Sequence, residues 1–263
     1  MGKIVELRPD SFINASSLAT HKLPEGMILP ASQPIQDNVV KEHDAQPIKS
    51  VEDIMRISEY LIKEERYRDN MLFVLGINFG LRISDLLKLR FTNLIDDNLV
   101  FRTTFAVFEQ KTSNTRKVKR NRYVTINEAV IEAVTLYLRH NQCKLDDYVF
   151  RGESNRSNPN APMTRGSADR ILKGIANELH LRERVSTHTL RKTFGYHQMV
   201  MSGNSQRKLL LLQKMFGHSS AGQTLDYIGI TSEEIEDAYL NLNLGSKNNY
   251  MALFGEIVEH TVA

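Results

Sequence analysis

Four side chains that could act on a phosphate ester lie within one short stretch, residues 187–229. His188 and Arg191 are three residues apart, so on a helix both project from the same face. His218 follows a glycine, and Tyr227 comes nine residues later in a segment that can return to the same place. Two histidines, an arginine and a tyrosine on one surface suit an oxyanion attacked by a phenol. We expect that oxyanion to be a phosphodiester.

The order of these residues resembles the catalytic box of the tyrosine recombinases, the family of phage integrases, Xer proteins and Cre. HTLR is followed by GHSS and then by a tyrosine nine residues on. The family also has an arginine in an upstream Gly-Leu-Arg turn and a lysine on a hairpin in between. GLRISDLL at 80–87 supplies Arg82, and EQKTSNTRKVKR at 109–120 supplies Lys111. The resemblance covers roughly residues 50–240 and fills all six positions in the family's order.

Arg82 and Arg191 are suited to the phosphate oxygens. A guanidinium binds two of these oxygens at once and stays protonated, so two of them could stabilise the developing charge. The resemblance implies that Asp85, three residues after Arg82, orients that arginine. No paired Asp/Glu cluster of the kind that holds Mg²⁺ accompanies these residues. We therefore expect a reaction that uses no metal and no other cofactor.

The remaining roles follow from the resemblance. Tyr227 is the expected nucleophile, forming a covalent 3′-phosphotyrosyl intermediate and releasing a 5′-hydroxyl. A phenol ionises near pH 10, so attack at neutral pH requires neighbouring cations and a base. His188 is the expected proton acceptor, and His218 is expected to donate a hydrogen bond to a phosphate oxygen. Lys111 would protonate the leaving oxygen.

A basic run lies between residues 102 and 122, with seven lysines and arginines against one acid, Glu109. Such a run can neutralise phosphates and would make binding sensitive to salt. The alternative is a solvated hairpin rim. Within this run we predict five DNA-binding residues: Arg116, Lys117, Lys119, Arg120 and Arg122.

Composition narrows the classes of protein but does not select a function. The formal net charge of +3 neither favours nor opposes a nucleic-acid partner, and 41% hydrophobic residues suffice for a sizeable core. Cys143 is the only cysteine, which excludes an intrachain disulfide and suits a reducing compartment. No apolar stretch approaches membrane-spanning length, and the start of the chain lacks the apolar core of a signal peptide. We expect a cytoplasmic, nucleoid-associated protein without a membrane partner.

Periodicity predicts an α+β fold that is mainly α-helical, with a small antiparallel β-sheet. Ser50 should cap the first helix, and Gly80 should end a central, largely apolar one. Ser84 and Thr187 are predicted to cap the helices that follow Arg82 and carry His188. The further predicted elements are strands at 99–110 and 123–126, and helices from Asn127 to 140, over 167–179, over a buried 209–217, and over 233–242.

This pattern divides the chain into three parts. Residues 1–49 are expected to be an extension or linker, too short for the complete core-binding domain that usually precedes this catalytic domain. Residues 50–245 are expected to be the tyrosine-recombinase catalytic domain. Residues 246–263 form a tail that could contact a neighbouring protomer or pack on its own domain.

The resemblance implies double-stranded DNA as the partner, a homo-tetramer on two DNA sites, and an accessory DNA-bending or directionality factor. The expected activity is site-specific recombination, such as integration of a mobile element. Two alternatives remain: a topoisomerase of type IB, with the same tyrosine chemistry, and a non-catalytic DNA-binding protein on the same scaffold. A zinc site at His188, His197 and His218 has no ligand-spaced pair to support it.

Overall fold

The computed structural model describes residues 45–107, 122–152 and 160–230. In these residues nine helices and one two-stranded sheet follow one another. In chain order the elements are α1 Val51–Lys63, α2 Tyr67–Phe79, α3 Ile83–Leu86, α4 Phe91–Leu94, β1 Thr104–Val107, β2 Arg122–Thr125, α5 Glu128–His140, α6 Arg165–Glu178, α7 Thr187–Val200, α8 Gln206–Phe216 and α9 Ala221–Ile228. The predicted fold class is confirmed.

Helix α2 is the centre of the main hydrophobic core and packs against α1, α5 and α7. It is apolar on most sides, as predicted, and its close contact with α7 depends on Gly76. A Cβ at that position would lie 2.5 Å from Leu190 Cδ1. Leu190 immediately precedes Arg191, so this contact determines how closely the part of α7 that carries Arg191 packs against α2.

A second, smaller core joins α7, α8 and α9. Its buried members are Met199, Leu212, Phe216, Ile228 and Ile230. Since α9 carries Tyr227 and α7 carries His188 and Arg191, this cluster sets the distance between the predicted nucleophile and the residues predicted to act with it.

The helix ends agree with the predictions in three places. Ser50 Oγ accepts the Asp53 N–H at 3.0 Å at the start of α1. Asn127 Oδ1 accepts the Val130 N–H at 3.2 Å at the start of α5. Gly80 ends α2 with φ of 55°, a left-handed conformation that favours glycine.

Two predicted caps are wrong. Helix α3 begins at Ile83 with Arg82 at its N-cap, so Ser84 lies inside the first turn. Helix α7 is capped by Ser186, and Thr187 is its first residue. In both cases an earlier residue takes the extended backbone conformation that a cap requires. At the start of α7, three hydroxyl residues in four positions, Ser186, Thr187 and Thr189, made the sequence ambiguous.

The predicted helix at 209–217 is present as α8, but the prediction that it is buried is wrong for part of its surface. Helix α8 buries Leu212 and Phe216, whereas Leu210 and Leu211 are 54% and 48% exposed. Four consecutive leucines extend around a helix of 3.6 residues per turn, and within the described part of the chain α8 is covered on one side.

The sheet is shorter than predicted. Strands β1 and β2 are antiparallel, with Thr104 opposite Thr125 and Val107 opposite Arg122. Leu99 has φ of 62°, so the chain turns there instead of continuing as a strand. The predicted hairpin tip, with Lys111, Arg116, Lys117, Lys119 and Arg120, lies outside the described residues. So do the predicted helix at 233–242 and the tail at 246–263.

Residues 46–48, which precede α1, lie against α7. The Ile48 N–H donates to Thr193 Oγ1 at 2.9 Å, and His197 Nε2 lies 2.9 Å from the Ile48 carbonyl oxygen. His197 thus has a structural role, holding the segment before α1 against α7. Among the described residues, no helix combines the length and the apolar character that crossing a membrane would require.

Candidate active site

An open cleft of about 550 Å³ brings together five of the six predicted site residues. Its walls come from the turn before α3, the starts of α6 and α7, the end of α8, and α9. The predicted residues that line it are Arg82, His188, Arg191, His218 and Tyr227. The sixth, Lys111, lies outside the described residues.

The two arginines are held by carbonyl groups at the carboxyl ends of helices. Arg191 donates to the Gly80 carbonyl at 2.7 Å and to the Phe216 carbonyl at 3.2 Å. Arg82 donates to the same Phe216 carbonyl at 3.1 Å. Gly80 ends α2 and Phe216 ends α8, so both guanidinium groups lie at the negative ends of helix dipoles. These contacts orient both arginines before any phosphate binds.

Arg191 is further fixed by packing. It is 5% exposed, and its Cζ lies 4.4 Å from the centre of the Phe216 ring. Asp85 is buried beside Arg82, and its N–H donates to the Arg82 carbonyl at 2.9 Å. The proposed action of the Asp85 carboxylate on the Arg82 guanidinium remains a prediction.

Arg122, predicted to bind DNA, lies on β2 close to this site. Its Nη2 donates to the Phe79 carbonyl at 2.9 Å, and its Nη1 lies 3.5 Å from the Gly80 carbonyl oxygen. The guanidinium therefore supports the turn that leads into Arg82. A direct contact of Arg122 with DNA remains a prediction.

His188 lies at the exposed start of α7, where a capping box fixes the backbone. Ser186 Oγ accepts the His188 N–H at 3.2 Å, and Thr189 Oγ1 accepts the Ser186 N–H at 3.0 Å. Arg165, the first residue of α6, has its Nη2 3.1 Å from His188 Nε2. Because a guanidinium is a donor only, His188 Nε2 is the acceptor in this contact.

Sequence reasoning missed Arg165, which also lines the cleft. The predicted helix began at residue 167, so Arg165 fell outside it, and nothing in its local pattern distinguishes it from the arginines that precede it. Its place depends on the docking of α6 against α7, to which the Thr187 N–H contributes by donating to Asp169 Oδ1 at 3.2 Å.

His218 follows Gly217, which ends α8 with φ of 72°. Its Nδ1 lies 3.1 Å from Thr224 Oγ1 on α9. Burial, together with the positive charges of Arg191 and Arg82, lowers the pKa of His218 below its ordinary value. The imidazole is therefore neutral at physiological pH in the absence of a bound anion.

Tyr227 lies on α9 with its ring against two aromatic neighbours. The ring centres of His218 and Phe216 are 5.0 Å and 5.6 Å away. Lys192 Nζ lies 5.4 Å from the centre of the tyrosine ring, a contact that the sequence did not predict. Burial raises the pKa of Tyr227, while the charges of Arg191 and Arg82 and a hydrogen bond with Arg191 act in the opposite direction. The phenol is therefore protonated at neutral pH, and its attack needs a proton acceptor.

The described residues contain no group of three or more His, Cys, Asp or Glu side chains placed to hold a metal ion. The chemistry available in the cleft comes from two arginines, two histidines and a phenol. This combination can bind a phosphate diester, polarise it and attack it.

The fold and this cleft define a tyrosine-recombinase catalytic domain. The crystal structure of XerA recombinase matches with a TM-score of 0.53 at 19% identity, covering 75% of this chain and 66% of that one. The XerH site-specific recombinase in a post-cleavage complex with its difH substrate matches with a TM-score of 0.52 at 18% identity. That match covers 74% of this chain and 53% of the XerH chain.

The chain belongs to the phage integrase family, whose model matches residues 48–234. It is 34% identical over 197 residues to the probable integrase/recombinase YoeC of Bacillus subtilis, which covers 75% of this chain and 96% of that protein. It is 27% identical over 213 residues to tyrosine recombinase XerD of Rickettsia prowazekii. There the match covers 78% of this chain and 65% of XerD, so the chain spans about two thirds of that relative's length.

Proposed function

We propose that this protein is a site-specific DNA recombinase of the integrase type. It would cleave and rejoin double-stranded DNA through a covalent bond between Tyr227 and a DNA 3′-phosphate. The observation that carries this proposal is the convergence of Arg82, His188, Arg191, His218 and Tyr227 on one cleft, from segments up to 145 residues apart in the chain.

Arg82 and Arg191 would bind the non-bridging oxygens of the scissile phosphate. Both are held in place by the Phe216 carbonyl, so little reorganisation is needed when charge develops in the transition state. Removing one preorganised donor of this kind costs about 10²–10³ in rate. With two guanidinium groups supplying positive charge, the proposed cleavage uses no metal, and the phosphotyrosyl bond conserves the energy that rejoining needs without ATP.

The proton transfers would be divided among the histidines and Lys111. The Tyr227 phenol must lose a proton as its oxygen attacks phosphorus, and the departing 5′-oxygen must gain one. The resemblance assigns the first proton to His188, a hydrogen bond to the phosphate to His218, and the second proton to Lys111. Each contribution of this kind is worth about 10²–10⁴ in rate.

Strand exchange would follow when a 5′-hydroxyl from a second duplex attacks the phosphotyrosyl bond. This requires two DNA sites, and we propose a homo-tetramer in which protomers act in pairs, assisted by an accessory DNA-bending or directionality factor. The matched XerH structure was obtained with its palindromic difH substrate, which supports a duplex DNA partner.

A covalent trap tests the proposal. The protein is mixed with nicked duplex fragments from its own genome, quenched in detergent, and assayed for protein that migrates with DNA. Tyr227→Phe should abolish the adduct and retain DNA binding, whereas Tyr60→Phe, which removes the same hydroxyl on α1, should form it normally. Sequencing the trapped DNA identifies the target.

The outcomes separate the candidate functions. A Tyr227-dependent adduct on a narrow set of sites supports a recombinase. An adduct spread over all sequences supports a topoisomerase. DNA binding without any adduct supports a binding protein and contradicts the proposed activity.

A further inference from the structure

Thr224 connects His218 to the backbone of α9 through two hydrogen bonds. It is fully buried, and its Oγ1 donates to the Ser220 carbonyl at 3.2 Å, a bond between helix positions i and i−4. The same oxygen lies 3.1 Å from His218 Nδ1. A hydroxyl carries one hydrogen, so a Thr224 hydroxyl that donates to Ser220 can only accept from His218.

With the Thr224 hydroxyl donating to Ser220, the arrangement favours one tautomer of His218. Nδ1 then carries a hydrogen, and the neutral imidazole has its lone pair on Nε2, the ring nitrogen left for the cleft. The ring is held between the aromatic rings of Phe216, 5.4 Å away, and Tyr227, 5.0 Å away. A neutral His218 is therefore a proton acceptor next to the nucleophile and cannot donate from Nε2 until it has gained a proton.

His188 differs in this respect. Its Nε2 lone pair already accepts a hydrogen bond from Arg165 at 3.1 Å. Before His188 can accept a proton there, Arg165 has to move away. Of the two histidines in the cleft, His218 is the one whose Nε2 has no hydrogen-bond partner among the described residues.

We propose that Thr224 is a positioning residue that holds His218 in the Nδ1–H tautomer, so that His218 Nε2 takes the proton of Tyr227. The O–H bond of the phenol breaks as an N–H bond forms at Nε2, and the phenolate oxygen bonds to phosphorus as the 5′-oxygen leaves. The resulting imidazolium has two donors: Nδ1–H stays on Thr224, and Nε2–H binds a phosphate oxygen. This inference rests on the proposed function and reassigns the first proton from His188 to His218.

The surroundings of His218 favour a neutral ring before cleavage and a protonated ring during it. In the described residues His218 shares its cleft with charged or titratable side chains from four other elements, and it lines a neighbouring pocket with Lys214 of α8. Those in the cleft are Arg82 from the turn before α3, Arg165 from α6, His188 and Arg191 from α7, and Tyr227 from α9. Burial, and after it the charges of Arg191 and Arg82, lower the pKa of His218 and so favour the neutral ring in the free protein. A bound phosphate offsets their charge, which makes a protonated His218 easier to form at the step that requires it.

Nitrogen NMR of histidine-labelled protein tests the tautomer without DNA. The His218 signals are assigned by their loss in His218→Gln and followed through pH. The proposal expects a fixed Nδ1–H tautomer in the unaltered protein and in Thr224→Ser, which keeps the hydroxyl. In Thr224→Val, a variant of nearly the same shape, the tautomers should mix. An Nε2–H tautomer in the unaltered protein overturns the proposal whatever the activity.

The rate of adduct formation on the trapped target site tests the proton transfer. Thr224→Val should lose at least about tenfold, because part of a general-base contribution is lost, and Thr224→Ser should restore most of it. The acidic limb of the pH profile should move to lower pH in Thr224→Val, because the imidazolium loses the acceptor for its Nδ1–H.

Thermal unfolding of both variants checks that each is folded at the assay temperature. Equal rates and equal pH profiles for Thr224→Val and Thr224→Ser overturn the inference. A fixed Nδ1–H tautomer in a protein that forms no adduct instead contradicts the proposed function, and with it the role of His218 as the base.

Discussion

Substituting Gly195 tests whether the packing of α7 against α8 and α9 places the nucleophile. A Cβ at this position would lie 2.5 Å from Ile228 Cγ2 and 2.9 Å from Phe216 Cε2. Ile228 follows Tyr227 on α9, and Phe216 holds both arginines through its carbonyl. Because Gly195 has no side chain, α7 can pack closely against Ile228 on α9 and Phe216 on α8.

The magnitude follows from these distances. Ordinary contact begins at 3.4 Å, so in Gly195→Ala the Ile228 methyl must retreat by about 0.9 Å. Overpacking of this kind destabilises the folded protein by about 1–3 kcal/mol. Replacing glycine by alanine inside a helix stabilises it by about 1 kcal/mol. We therefore expect a net loss of about 0–2 kcal/mol in the free energy of unfolding. A displacement of about 1 Å between reacting groups can cost about 10²-fold in rate.

The assay compares adduct formation by Gly195→Ala and Gly174→Ala, at a temperature where both are folded. Gly174 provides a matched control because its added Cβ would meet only Glu178 Oε1, at 3.9 Å, on helix α6. We expect Gly174→Ala to cleave normally and Gly195→Ala to lose about 10²-fold while still binding DNA. If Gly195→Ala cleaves within a few-fold of the unaltered protein, the contact does not position Tyr227.

Four further predictions concern charged or titratable residues of the cleft. Arg191→Lys should lose cleavage and about 1–3 kcal/mol of stability in urea unfolding, because an ammonium cannot keep both buried carbonyl contacts. Arg82→Lys should lose cleavage with a smaller change in stability, since Arg82 is more exposed than Arg191 and its contact with the Phe216 carbonyl is less buried. Arg165→Gln should weaken DNA binding and reduce the slope of log affinity against log salt by about 0.9, if Arg165 meets a phosphate; an unchanged slope contradicts that contact. The lowered pKa of His218 means that the fold favours the neutral ring, so stability should fall as pH drops below about 6.5. His218→Gln should lack this part of the decline in urea unfolding followed from pH 7 to pH 5, and identical curves contradict the shift.

The parts of the site that could be predicted from sequence are those fixed by local geometry. Gly80 ends α2 in a left-handed turn, which places Arg82 at the edge of the core. His188 and Arg191 share a face of α7 because they are three residues apart. The return of Tyr227 to the same cleft was predicted from the family's order of residues, and local pattern alone did not require it.

The parts that were missed depend on contacts between helices. Arg165 reaches His188 only because the start of α6 docks beside the start of α7. In the sequence Thr224 looks like any helical threonine. The role proposed for it depends on its contact with the ring of His218, which the sequence does not show. The outward leucines of α8 show the same limit: a hydrophobic run predicts a helix, but which of its faces is buried is decided by the elements that cover it.

The Phe216 carbonyl explains how two like charges can be held together in the free protein. Arg82 and Arg191 both donate to it, at 3.1 and 3.2 Å, so their guanidinium groups are close enough to repel each other. The carboxyl ends of α2 and α8 offset this repulsion because their carbonyl groups carry partial negative charge. A phosphate would offset it further with a full negative charge between the two cations. Phe216 is the last residue of α8, before the turn at Gly217, and its carbonyl holds the two cations. The end of this helix thus also favours an anion in the cleft.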